Sequence, residues 1–133
     1  MIKFEEKDCY SITVDKDKNR LNLLFLGHWK APSDVPKYID HVTEAVGMLK
    51  KGYTIVAEIR DKKPPNLKVT SLHKKGQQVM KEGGVSRTAV ILGKGQFLQK
   101  MTLNVVGRLS GLEVKVFSTT EDGVAWLDEK TKG

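Results

Sequence analysis

The sequence predicts an α/β fold: one domain over residues 1–133, with a five-stranded, mostly parallel mixed sheet, an N-terminal β-hairpin and four helices. Three observations carry this reading. Short runs rich in Val, Ile and Leu alternate with longer stretches of helical spacing, the pattern of strands joined by crossover helices. Gly and Pro stand at the junctions, where the chain must turn. A chain of 133 residues with 39% hydrophobic and 29% charged composition can build one core, hiding roughly two-thirds of its extended surface, and has no room for a second.

Taken in order, Tyr10, Ile12 and Val14 alternate with Ser11 and Thr13, the period of a half-buried strand. Asp15 to Asn19 read as a turn, and Leu21 to Gly27, apolar on both faces, as the second and deeper strand of a hairpin. Ser33 or Asp34 then offers an N-cap to a helix striped by Val35, Ile39, Val42, Val46 and Leu49, which Gly52 stops behind Lys50 and Lys51. Tyr53 to Ile59 is the third strand, and Pro64 and Pro65 break the chain after it. Val69, Leu72, Gly76, Val79 and Met80 mark a second helix that ends at Gly83 and Gly84, followed by a strand from Thr88 to Leu92. Gly93-Lys94-Gly95 turns into a third helix marked by Leu98, Met101, Val105 and Leu109, which Gly111 closes. Val114 to Phe117 gives the last strand, and Thr119 or Thr120 caps a last helix holding Val124, Trp126 and Leu127.

Lys3, Glu5, Glu6, Lys7 and Asp8 precede any apolar run, so no signal-peptide core can be drawn at the start. The longest purely apolar stretches, Leu23 to Leu26 and Ala89 to Leu92, fall far short of the ~20 residues that cross a bilayer. The lone Cys9 has no partner for an internal disulfide, and its acidic neighbours disfavour a reactive thiolate. These features together predict a cytoplasmic protein without a membrane span. Within the formal charge of +7, residues 62–115 concentrate a net +9, including Lys74, Lys75, Lys94 and Lys100. A basic face of that kind attracts acidic partners, yet lysines outnumber arginines and Phe97 is the one Phe, Tyr or Trp interleaved with them to stack on bases. No sequence-specific nucleic-acid binding is expected.

The phrases Leu24-Phe25-Leu26-Gly27-His28-Trp29, Lys51-Gly52-Tyr53-Thr54, Glu58-Ile59-Arg60-Asp61 and Phe117-Ser118-Thr119-Thr120-Glu121, with Ala125-Trp126-Leu127, resemble the SpoIIAA-like (STAS/SEC14-type) bacterial proteins over nearly the whole chain. The resemblance implies a STAS-like fold and a non-enzymatic regulatory or protein-interaction module. It also implies a protein partner, with a homodimer as one form of assembly, and, through kinship with lipid-binding domains, an apolar ligand as the alternative. In the antagonists of that family a serine at the start of the helix after the third strand is phosphorylated, usually in an Asp-Ser-Ser-Gly type motif. Here the matching stretch runs Arg60-Asp61-Lys62-Lys63-Pro64-Pro65 without that motif and reaches Thr70-Ser71 later, which leaves Ser71 as the candidate for phosphorylation and N-capping as its ordinary alternative.

Glu58 and Arg60 share a strand face, and Asp61 ends the strand, where ligands gather in parallel sheets. With Trp29 they form the candidate ligand-binding group, against a structural ion pair as the simpler role. Gly93, Lys94 and Gly95 are the candidate anion-binding turn, short of a phosphate-loop motif. His28, His41 and His73 lack metal-ligand spacing, and no catalytic set, metal or cofactor is predicted. An enzyme is not expected, and a small apolar or anionic ligand carrier or sensor is the alternative to the interaction module.

Overall fold

A computed structural model describes residues 2–6, 9–26, 29–60, 67–92 and 113–131. They form a mixed α/β arrangement around one six-stranded sheet whose strands lie side by side in chain order: β1 (Ile2–Glu6), β2 (Tyr10–Asp15), β3 (Arg20–Phe25), β4 (Thr54–Ile59), β5 (Arg87–Leu92) and β6 (Val114–Phe117). The pairs β1–β2 and β2–β3 are antiparallel, and β3–β4, β4–β5 and β5–β6 are parallel. Helices α1 (Tyr38–Gly47) and α2 (Leu67–Glu82) connect the first parallel pairs, and α3 (Thr120–Thr131) follows β6. Among the described residues no helix is long and apolar enough to cross a membrane. The expected third helix and the Gly93-Lys94-Gly95 turn lie outside the described residues.

The predicted five strands become six because the charged opening segment is itself a strand. Ile2 and Phe4 alternate with Lys3 and Glu5, and that short period-two pattern is enough to extend the hairpin by pairing Phe4 with Ile12 and Lys3 with Thr13. The turn into β3 is held by Asn19, whose left-handed φ of 52° is a conformation that asparagine tolerates. Its side chain accepts from the Lys50 amide at 2.8 Å and donates to the Lys50 carbonyl at 3.1 Å, tying the hairpin to the loop after α1.

Alternation along the strands separates two faces. Ile12, Leu21, Ile55 and Val90 lie on one, under α1 and α2, where Val42, Ala45, Val69 and Met80 close a fully apolar interior. Strands added in one direction through crossovers of one hand place both connecting helices on the same side. Gly76 lets the helices meet: a Cβ there would sit 3.2 Å from the Tyr38 ring. The opposite face carries α3 over β4–β6, with Leu127 buried among Val56, Ala89 and Ile91. Arg20, almost wholly buried, pins that helix by donating to Asp128 Oδ1 at 2.6 Å and to Thr54 Oγ1 at 3.0 Å.

The first helix begins later than its apolar stripe suggests. Pro36 disfavours a helical backbone at Val35 just before it, and residues Pro32–Asp34 form a 3₁₀ turn instead, so Val35 is buried from a loop. Asp34 serves that turn, its carboxylate accepting from the Lys30 and Ala31 amides. Thr119 meets its expectation as a cap, accepting from the Asp122 amide at 3.2 Å.

Candidate functional site

The carboxyl ends of β3 and β4 hold a cluster of rings built from four elements. Trp29, in the loop after β3, is fixed by donating from Nε1 to the Cys9 carbonyl at 3.1 Å. Around it pack Tyr10 from β2, Phe25 from β3, Tyr38 from α1 and His73 from α2, with centroid separations from Trp29 of 5.1 to 5.8 Å. Only His73 lies flat on the indole, at 5.2 Å and 12°; the others meet it edge-on, the geometry that aromatic quadrupoles favour.

Burial sets the charge state of this cluster. It lowers the affinity of His73 for a proton and raises the phenol pKa of Tyr38. Burial also raises that of Tyr10, and the nearby Glu6 carboxylate adds to the effect. Near neutral pH the rings are therefore an uncharged mass, with polar chemistry confined to one rim. There the Tyr10 hydroxyl lies 2.8 Å from Glu6 Oε1 and 2.7 Å from His41 Nδ1. A carboxylate only accepts, so the single hydroxyl proton goes to Glu6, and the phenol oxygen accepts from His41 Nδ1–H. The same Glu6 oxygen accepts the Lys37 amide at 2.7 Å.

The predicted ligand-binding group is divided by the sheet. Trp29 packs on the α1/α2 face, whereas Glu58, in register with Leu24 and Ile91, points to the α3 face. Trp29 reaches the strand ends from a loop on the other side, and strand parity does not govern a loop residue. Glu58 is not a buried acid either: it pairs with Arg60 at 3.4 Å, with the two side chains 35% and 58% exposed. Such a solvent-exposed pair contributes ~0–1 kcal/mol. Asp61, Gly93, Lys94 and Gly95 lie outside the described residues.

Ser71 is exposed as the fifth residue of α2, and neither it nor Thr70 caps a helix that already begins at Leu67. Lys74 and Lys75 are exposed on the same helix. Lys115 belongs elsewhere, its Nζ 5.9 Å from the Trp126 ring, which the Arg87 guanidinium also covers at 4.6 Å. The described members of the basic segment thus fall on two separate surfaces, and Lys94 and Lys100 are outside the described residues.

Sequence reasoning missed Tyr10, Tyr38 and His73 as neighbours of Trp29. A signal existed: Tyr38 is four residues before Val42, and His73 four after Val69, so each lies on the inward stripe of its helix. The chain matches no protein-family model, no curated protein and no solved structure.

Proposed function

We propose that this chain is a regulatory or protein-interaction module of the STAS-like type, acting by binding and without catalytic turnover. The observation that carries the proposal is the division of labour between the sheet faces. Across β2 and β3 one face is clamped by helices, while the other presents Ser11, Thr13, Asn22 and Leu24, all half-exposed, on a rigid hydrogen-bonded floor. A flat array of hydroxyls and an amide around one leucine suits a protein surface, where shape and scattered hydrogen bonds set specificity. The carrier alternative draws less support, since the space beside Trp29 is filled by four rings and leaves the indole 6% exposed.

Ser71 supplies the regulatory side of the proposal. A phosphate there would stand three and four residues from exposed Lys74 and Lys75, within one helical turn of both.

The test starts from protein purified gently from its own cells together with its crosslinked partner. Thr13→Arg and Ser11→Arg, folded by circular dichroism, are expected to lose that partner. Retention of the partner by both variants would overturn the surface, a stoichiometric small-molecule adduct in native mass spectrometry would favour the carrier, and a turnover lost in Glu58→Ala would make the protein an enzyme.

A further inference from the structure

Strand β1 is the outermost strand of the described sheet, paired with β2 along one side only. Its five residues read Ile-Lys-Phe-Glu-Glu. On the α3 face it presents Lys3 and Glu5, their side chains 57% and 58% exposed. On the α1/α2 face it carries Phe4, packed partly against the core and 5.5 Å from His41, and Ile2, 37% exposed. Exposed edges are commonly blocked by charge, proline or a bulge. Here there is no proline or bulge; the two charges on the α3 face are of opposite sign at positions i and i+2 and pair with each other at 3.5 Å, and Glu6 adds a third charge on the other face.

That order is self-complementary. In an antiparallel pair, residues directly opposite one another share a face, and a two-fold axis at one residue brings its neighbours on either side into opposition. An axis at Lys3 sets lysine against lysine, and an axis at Glu5 sets glutamate against glutamate, both unfavourable. An axis at Phe4 sets Lys3 against Glu5 of the second copy, and Glu5 against its Lys3. The same register places the two Phe4 rings opposite each other and each Ile2 opposite a Glu6 and diagonal to a Phe4, whose ring covers part of that exposed apolar side chain.

We propose that β1 is a dimerisation edge that pairs antiparallel with β1 of a second copy of this chain, in the register centred on Phe4, to join the two described sheets into one continuous sheet. The proposal does not rest on the interaction surface argued above, which uses β2 and β3. A five-residue edge buries less than the ~1,000 Å² of a stable interface, so the dimer is a weak one that fills at high protein concentration.

Sedimentation velocity on the full chain at low salt tests it with two charge reversals. Wild-type protein is expected to move from the 14.9 kDa chain toward twice that mass as concentration rises. Lys3→Glu sets acid against acid in every cross-pair and Glu5→Lys sets base against base, so each alone is expected to stay a single chain. Mixed in equal amounts, the two variants become complementary and are expected to restore the dimer, as is the double variant Lys3→Glu/Glu5→Lys. Wild type that remains a single chain up to about 1 mM, where a millimolar interface is half filled, would overturn the proposal. So would a dimer indifferent to both reversals, or a mixture no more associated than its components.

Discussion

Trp29 and His73 stack ring on ring, 5.2 Å apart and 12° from parallel, joining the loop after β3 to the middle of α2. The stack holds the imidazole in its neutral form, because burial there penalises the charged ring. In the unfolded chain His73 titrates near its ordinary 6.5, and in the folded chain it titrates lower. Its contribution is therefore undiminished above about 6.5 and is lost as the pH falls below that value, by up to about 1.4 kcal/mol per pH unit until the folded ring also titrates. Urea unfolding at neutral and mildly acidic pH is expected to show a smaller acid penalty for His73→Phe than for wild type. An equal penalty in both would refute this.

All 3 tyrosines of the chain, Tyr10, Tyr38 and Tyr53, are pushed above their ordinary value of 10.0, mainly by burial. The unfolded chain ionises first, so stability is retained below about 10 and falls as the pH rises beyond it. Near-ultraviolet absorbance is expected to show no phenolate until the fold is lost, then all of it together. A separate early phenolate step in folded protein would contradict the burial of one ring.

The Arg20–Asp128 pair joins a buried guanidinium to a carboxylate that is 40% exposed. Asp128→Ala is expected to cost about 1–3 kcal/mol, discounted for solvent at the carboxylate, because the buried Arg20 guanidinium loses its carboxylate partner and keeps Thr54. Replacing both, with Arg20→Met, is expected to recover part of that loss, giving a double-mutant coupling readable from denaturant midpoints. Strictly additive losses would show that the two side chains do not act together.

Gly123 in α3 lies against β5: an added Cβ would meet Ile91 Cδ1 at 2.7 Å and Ala89 Cβ at 3.2 Å. Alanine gains about 1 kcal/mol of helix propensity, but forcing a methyl into a packed contact costs about 1–3 kcal/mol. Gly123→Ala is expected to lower the melting temperature in wild type, and to do so less in Ile91→Val, which removes the colliding methyl. A rise in both backgrounds would mean that α3 shifts freely on the sheet.

The lysines of α2 are expected to give weak binding to single-stranded and duplex oligonucleotides at low salt, lost near physiological ionic strength and indifferent to sequence. Titrations at two salt concentrations check this. Tight, selective binding at the higher salt would move the functional surface to the basic side of the molecule.

The alternation of strands and helices was legible because Ile12 sits in a period-two run, Leu21, Ile55 and Val90 in short runs that are apolar on both faces, and Val42 and Val69 each in a helical one. Strand β1 was harder to read, since two apolar residues among charges resemble a solvated tail until β2 offers Ile12 and Val14 to pair with. At the site, the strand face of Glu58 could be read from β4, but it gave no information on the loop that carries Trp29. The ring cluster is a product of long-range packing, drawing Tyr10, Tyr38 and His73 from separate elements, and only the inward position of each could be read locally.

Glu6 Oε1 accepts both the Tyr10 hydroxyl and the Lys37 amide, so one oxygen at the end of β1 serves the second strand and the approach to the first helix. Peeling the edge strand away would strand the phenol and the amide together. Fraying here is therefore a cooperative event: amide protons of β1 and of the α1 entrance should exchange with solvent at a common rate, as a single opening unit. An edge strand paired on one side is thereby coupled to the aromatic interior, and Glu6→Ala, which removes the shared acceptor, should uncouple the two rates.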